Sequence, residues 1–220
     1  MRSILTPTFH NSANGYLLDQ FLHDNVNVRS DSYGGSVENR CRFPLEVIAA
    51  VTAAIGAEKV GMRLSPYNYF QDTRDSQPNE NWAYLCEQIA ALPAHQRLAY
   101  VHMIEPRFDE VLDEQAKLGA LPGKNSLLPF RRILENAGIK FLSAGAFTRD
   151  NAAPKVDAGD TDAVVFGRWF IANPDLPERL QKGLSLNEYD RSTFYGAEPA
   201  AKGYVDYPFF EPSSKGEINT

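Results

Sequence analysis

From Glu38 to Gly56 the apolar positions of ENRCRFPLEVIAAVTAAIG fall at helical spacing, and Gly56 stands where such a helix would stop. The period then changes. Lys59 to Ser65, KVGMRLS, is short and rich in apolar residues, which predicts a strand that Pro66 keeps from continuing as a helix. Helical spacing returns in NENWAYLCEQIAAL, with Trp82, Leu85, Ile89 and Leu92 along one face and Asn79 or Asn81 as the expected N-cap. AYVHMIEP reads as the next strand, Ser126 to Ala137 as a helix closed by Gly138, and IKFLSAG as a third strand. The unit repeats once more. Thr148 caps TRDNAAPKVDAG, where Pro154 is expected to distort the middle, and DAVVFG makes a fourth strand before the short helix NPDLPERLQKG.

Alternation of strand and helix at this spacing predicts βαβ units and a parallel sheet. Two stretches escape the pattern. Residues 106 to 124 are irregular and charged, predicting a long loop with at most a helical turn or two in DEVLDEQAKLG. Everything after Leu184 is polar, aromatic and turn-rich, with YDRSTFYG and GYVDYPFF reading as a packed tail. No linker composition interrupts the chain, so residues 1–220 read as a single domain.

Composition narrows the function classes. A hydrophobic fraction of 43% with 23% charged residues is that of a globular protein rather than a disordered one. The formal charge of −6, without a lysine or arginine run, argues against a nucleic-acid surface and favours a small-molecule partner. Cys41 and Cys86 sit among apolar neighbours in helical patterns, which predicts buried thiols rather than a disulfide framework. With neither a signal-peptide core nor an 18-residue apolar run, the expectation is a soluble, cytoplasmic protein with no membrane partner. His23 and His95 have no carboxylate or cysteine at metal-ligand spacing, so no metal site is expected.

The chemistry enters through motifs. NSANGYLLDQFLHDNVNVRSDSYGGSVENR, from Asn11 to Arg40, combines polar, aromatic and glycine residues too specifically for ordinary packing. VGMRLSP, HMIEPR, FLSAGAFTRDNA, VVFGRWFIANPDLPERL and YDRSTFY follow in one order along nearly the whole chain. Together they resemble the old yellow enzyme family, flavin-dependent ene-reductases built on an eight-stranded (β/α) barrel. The resemblance implies the C-terminal half of such a barrel, a partial TIM (β/α)8 fold of roughly strands 4 or 5 to 8. It also implies FMN as cofactor, NAD(P)H as reductant and an enal or enone as substrate.

Residue by residue, the resemblance puts Asn11 and Asn14 at the donor pair for the substrate carbonyl and Tyr16 at the proton donor. Asn11 departs from the imidazole usual at its position, though its amide can still donate. His10 would replace it only through a slipped or bulged backbone. Arg63 matches the arginine at the flavin pyrimidine edge, and Gly145, Ala146, Gly167 and Arg168 match the phosphate site. A positive φ at Ala146 would be strained. Tyr195 matches a pocket-lining aromatic, with Phe194 as readily a packing residue; Glu105 and Arg107 are expected to tie a loop to the barrel.

A complete barrel takes about 250 residues. Four strands plus the stub SILTPTF cannot close one, so two sheet edges call for cover, most simply by a second copy in a homodimer. Two further functions stay open at this stage: a flavin-independent isomerase or cyclase using Asn11, Asn14 and Tyr16, and an inactive remnant or assembly partner.

Overall fold

The computed structural model describes residues 8–108, 116 and 125–211, with side chains from residue 11. The helical turns expected in DEVLDEQAKLG, residues 109–119, lie outside the described residues apart from Ala116. Packing gathers the chain into two compact units, residues 1–165 and 166–220.

In the first unit five parallel strands lie side by side in sequence order: β1 (Thr8–Ser12), β2 (Val60–Leu64), β3 (Tyr100–Ile104), β4 (Lys140–Ala144) and β5 (Ala163–Val165). Thr8 and Phe9, the end of that stub, continue through Ser12 as a fifth strand. Helices connect them: α1 (Leu17–Leu22), α2 (Val37–Ile55), α3 (Pro78–Ala90), α4 (Leu128–Asn136) and α5 (Arg149–Asp157). Each strand pairs with the one before it, the arrangement of consecutive βα units in a barrel wall.

Strand alternation sorts the side chains. Val60, Met62, Leu64, Val101, Met103 and Phe141 turn toward the helices and join Leu22, Ile48, Trp82, Leu85, Ile89, Phe130 and Leu134 in one buried cluster. Burying each such aliphatic or aromatic side chain contributes about 1.5–3 kcal/mol. Cys41 and Cys86 are free thiols in this core, and burial pushes the Cys41 thiol up to about 12.

Helix boundaries follow local chemistry. Ser36 caps α2 by accepting from the Asn39 N–H, and Gly56 at φ 92° ends it. Thr148 and Asn151 form a reciprocal capping box on α5, which continues past Pro154 to Asp157. One expected cap is wrong. Helix α3 begins at Pro78 with Gln77 before it, so Asn79 and Asn81 both lie within the helix. Proline is pre-organised for the first helical position, and Asn81 turns inward, its Nδ2 donating to the Leu22 carbonyl at 2.6 Å. The conspicuous RSDSYGGSVENR stretch proves architectural: buried Arg40 donates to the carbonyls of Leu22 and Gly35 and lies 3.6 Å from the Asp75 carboxylate.

The second unit holds two short helices, α6 (Arg168–Ala172) and α7 (Leu176–Lys182), followed by an irregular tail. Arg179 organises it from a position only 2% exposed. Its guanidinium reaches Asp175 and the carbonyls of Ser185 and Pro208, tying the tail back onto α7. Helix α6 had no counterpart among the expected elements, since five residues are too few to show a period.

Candidate active site

Side chains facing away from the helix layer define the site. The register pairs Asn11 of β1 with Arg63 of β2, and Arg63 in turn with His102 of β3. Across this row the Arg63 Nη1 donates to the Asn11 Oδ1 at 3.4 Å and, by a shorter contact, to the Asn14 Oδ1. Arg63 therefore engages amide oxygens contributed by the motif at β1. Amide planarity then directs the Asn14 NH2 away from the guanidinium. His102, buried beside Arg63, has its imidazole pKa pulled down to about 3, by desolvation first and by the arginine charge second.

The pairing of Thr8–Ser12 with Val60–Leu64 is continuous, one residue against one. No slip or bulge is present to bring His10 into the Asn11 position.

Beyond β1 the chain turns sharply. Asn14 at φ 58° and Gly15 at φ 72° are both left-handed. A Cβ on Gly15 would lie 2.7 Å from the Gln71 Cβ and 2.8 Å from the Phe70 carbonyl oxygen, so glycine is required by space as well as by φ. Tyr16 follows as the N-cap of α1 with its side chain half exposed. Beneath the turn the Asn14 N–H donates to the Ser65 Oγ at 2.8 Å, and the Gly15 N–H to the Asp19 Oδ2 at 2.9 Å. Asn11, Asn14 and Arg63 thus converge, with Tyr16 two residues beyond Asn14. Sequence reasoning missed Asp19, His23 and Ser65. The available signal was a carboxylate at the third position of LLDQFL, where an acid commonly reaches back to cap a helix start.

At the end of β4, Gly145 has φ 122° and Ala146 φ 51°. The expected strain at Ala146 is present. A Cβ on Gly145 would crowd Phe108 and Glu105, at 2.9 and 3.1 Å. Lys155 of α5 lies 3.4 Å from the Glu105 carboxylate, and the Arg107 guanidinium lies over the Phe147 ring, so both hold the strand-end loops.

In the second unit, Gly167 precedes α6 and Arg168 opens it. A Cβ on Gly167 would meet nothing within 4 Å, and its φ of −99° suits any residue. The space beside Gly167 is therefore open, and the position does not require glycine. Tyr195 is 91% exposed and so is not a packing residue, whereas Phe194 packs against Tyr189 and Tyr204.

A sequential parallel wall of βα units, with polar side chains gathered at strand ends, defines half of a (β/α) barrel of the enzymatic type. The family model for the NADH:flavin oxidoreductase / NADH oxidase family matches residues 10–187, and the chain belongs to that family, the old yellow enzymes. A flavin oxidoreductase, hxnT, of Emericella nidulans is 63% identical over 201 residues, covering 89% of this chain and 52% of the relative. The 12-oxophytodienoate reductase 2 of Arabidopsis thaliana is 44% identical over 202 residues, covering 92% of this chain and 50% of the relative. Among solved structures, morphinone reductase superposes with a TM-score of 0.80 at 38% identity, covering 97% of this chain and 53% of the other. The old yellow enzyme of Trypanosoma cruzi gives 0.80 at 32% identity, covering 94% and 50%. The chain spans about half the length of the curated relatives it matches.

Proposed function

We propose that this chain contributes the substrate-activating half of an FMN-linked ene-reductase, acting on the C=C bond of an α,β-unsaturated carbonyl. The observation that carries the reading is the convergence of Asn11, Asn14 and Arg63, with Tyr16 on the adjoining turn. The family match across both units supports treating residues 1–220 as one domain, and the absence of a membrane-length apolar helix among the described residues is compatible with a cytoplasmic setting.

The residues present suit FMN. Arg63 would meet the negative charge that a reduced flavin carries at its pyrimidine edge. Gly145 and Ala146 in the first unit, and Gly167 and Arg168 in the second, are each proposed as phosphate contacts. Bound FMN, reduced by NAD(P)H, supplies the hydride for the β-carbon.

The chain's own residues do the rest. The Asn14 amide, oriented through its oxygen by Arg63, donates from nitrogen to the substrate carbonyl, where negative charge grows during reduction. Asn11 supplies a second amide at the same oxygen. The exposed Tyr16 phenol delivers a proton to the α-carbon. Strands β1 and β5 have no outer partner among the described residues, and we propose that a second copy of the chain covers these edges.

The test is the visible spectrum of purified protein after incubation with excess FMN and desalting. Retained colour that bleaches anaerobically with NADPH and returns on adding 2-cyclohexenone supports the reading; a colourless protein overturns it. Size-exclusion chromatography tests the assembly separately, a well-behaved monomer contradicting the covered edges.

A further inference from the structure

We propose that Asp19 is a positioning residue for the carbonyl-binding amide, a buried carboxylate that holds the Asn14–Gly15 turn in its left-handed form and so fixes the direction of Asn14. The proposal rests on the substrate role given to Asn14 above.

Asp19 is completely buried, yet its single Oδ2 gathers three donors. They are the Gly15 N–H at 2.9 Å, the Ser65 hydroxyl at 3.4 Å and the His23 Nε2 at 3.2 Å. The Ser65 oxygen in turn accepts from the Asn14 N–H at 2.8 Å. One carboxylate therefore captures the successive N–H groups of the turn, the first through a hydroxyl and the second directly. His23, itself completely buried and 4.9 Å from the Trp82 ring centre, fixes the carboxylate from below. Gln20 closes the turn from the other side by donating to the Gly15 carbonyl at 2.6 Å.

A left-handed asparagine persists only where its surroundings over-determine it. Here the same backbone conformation aims the side chain at Arg63, so loosening the turn misdirects the amide. None of these groups needs to touch substrate. A serine and a carboxylate beneath a catalytic turn are the supporting shell that keeps a donor within a fraction of an ångström of its working position.

The experiment uses 15N-labelled full chain, titrated with 2-cyclohexenone while the Asn14 side-chain amide resonances and the backbone amide exchange of Asn14 and Gly15 are recorded. Asp19→Ala is expected to raise Gly15 exchange at least about tenfold and to weaken enone binding about tenfold or more, as loss of a hydrogen bond to a charged acceptor does. Exchange at Val101 and Phe141 in the core should rise by no more than the loss of global stability, which urea unfolding of the same variant measures. Asp19→Asn, which keeps an oxygen acceptor, should restore most of both effects, and Ser65→Ala should loosen Asn14 more than Gly15. If Asp19→Ala does not fold, Ser65→Ala against Ser65→Thr carries the same comparison. Unchanged Gly15 exchange and enone affinity in the alanine variants would overturn the proposal. A parent chain that binds no enone would overturn the substrate role of Asn14, while the exchange data would still judge the clamp.

Discussion

Among the strand-to-helix turns of the first unit with left-handed backbone at consecutive residues, those after β1 and β4 are secured in opposite ways. After β1 the pair is Asn14 at φ 58° and Gly15 at φ 72°; after β4 it is Gly145 at φ 122° and Ala146 at φ 51°. The first turn is buried and held from beneath by Asp19 and Ser65. The second exposes Ala146, whose carbonyl accepts from the Asn151 Nδ2 at 3.2 Å. Asparagine tolerates the left-handed region through its short polar side chain, but alanine gains nothing there to offset the Cβ clash. Strain at the first turn is locked into a network that aims a functional amide. At the second it is simply carried.

The comparison breaks most completely if the lock is removed. Asp19→Ala leaves the Gly15 N–H and the His23 ring without their carboxylate in a fully buried setting, and should lower unfolding free energy by about 3 kcal/mol. A urea midpoint unchanged from the parent would show that the network is not what holds the turn. Next in size is Gly15→Ala, which forces a Cβ against Gln71 and Phe70 at positive φ and should cost about 2 kcal/mol by the same measurement. The equivalent crowding at Gly145 involves Phe108 and Glu105 at slightly longer distances, so Gly145→Ala should cost less.

Much of this architecture was legible in the sequence, because long amphipathic segments carry their own signal. Helices α2, α3 and α4 declared themselves by period, and β2, β3 and β4 by short apolar runs between glycine and proline stops. Two short helices did not. Helix α1, with six residues, and α6, with five, are set by tertiary contact rather than periodicity, and the α3 cap was misplaced because a proline start outweighed two asparagines. The site residues were legible only through motif resemblance. Nothing in the sequence pattern of Asp19 or Ser65 told of a partner 46 positions away along the chain.

Acid sharpens the contrast from the neighbouring strand. Burial first, then the charge of Arg63, depresses the folded pKa of His102 from 6.5 to about 3. Between those values the unfolded chain binds a proton that the folded chain does not, so stability contributed by neutral His102 is present above pH 6.5 and is lost as pH falls. The loss should reach about 1 kcal/mol at pH 5.5, one unit below the unfolded value. His102→Leu should flatten that part of the stability profile in urea titrations at a series of pH values. An identical slope in parent and variant would place the acid sensitivity elsewhere.

The smallest effect separates the two turns most cleanly, because it should differ in sign. Ala146→Gly removes the Cβ from a left-handed residue on the surface, and the relief of about 1 kcal/mol is partly offset by the greater entropy of glycine in the unfolded chain. A net stabilisation of about 0.5 kcal/mol is expected. Asn14→Gly relieves a similar backbone torsion, yet it deletes the amide oxygen that accepts from Arg63 and should destabilise. Differential scanning calorimetry of both variants under one buffer decides the matter. If both rise, the Asn14 side chain contributes nothing to its turn and the aim of the amide toward Arg63 is incidental. Opposite signs mean that strain at β1 is retained for the contact it makes, whereas strain at β4 can be removed without loss.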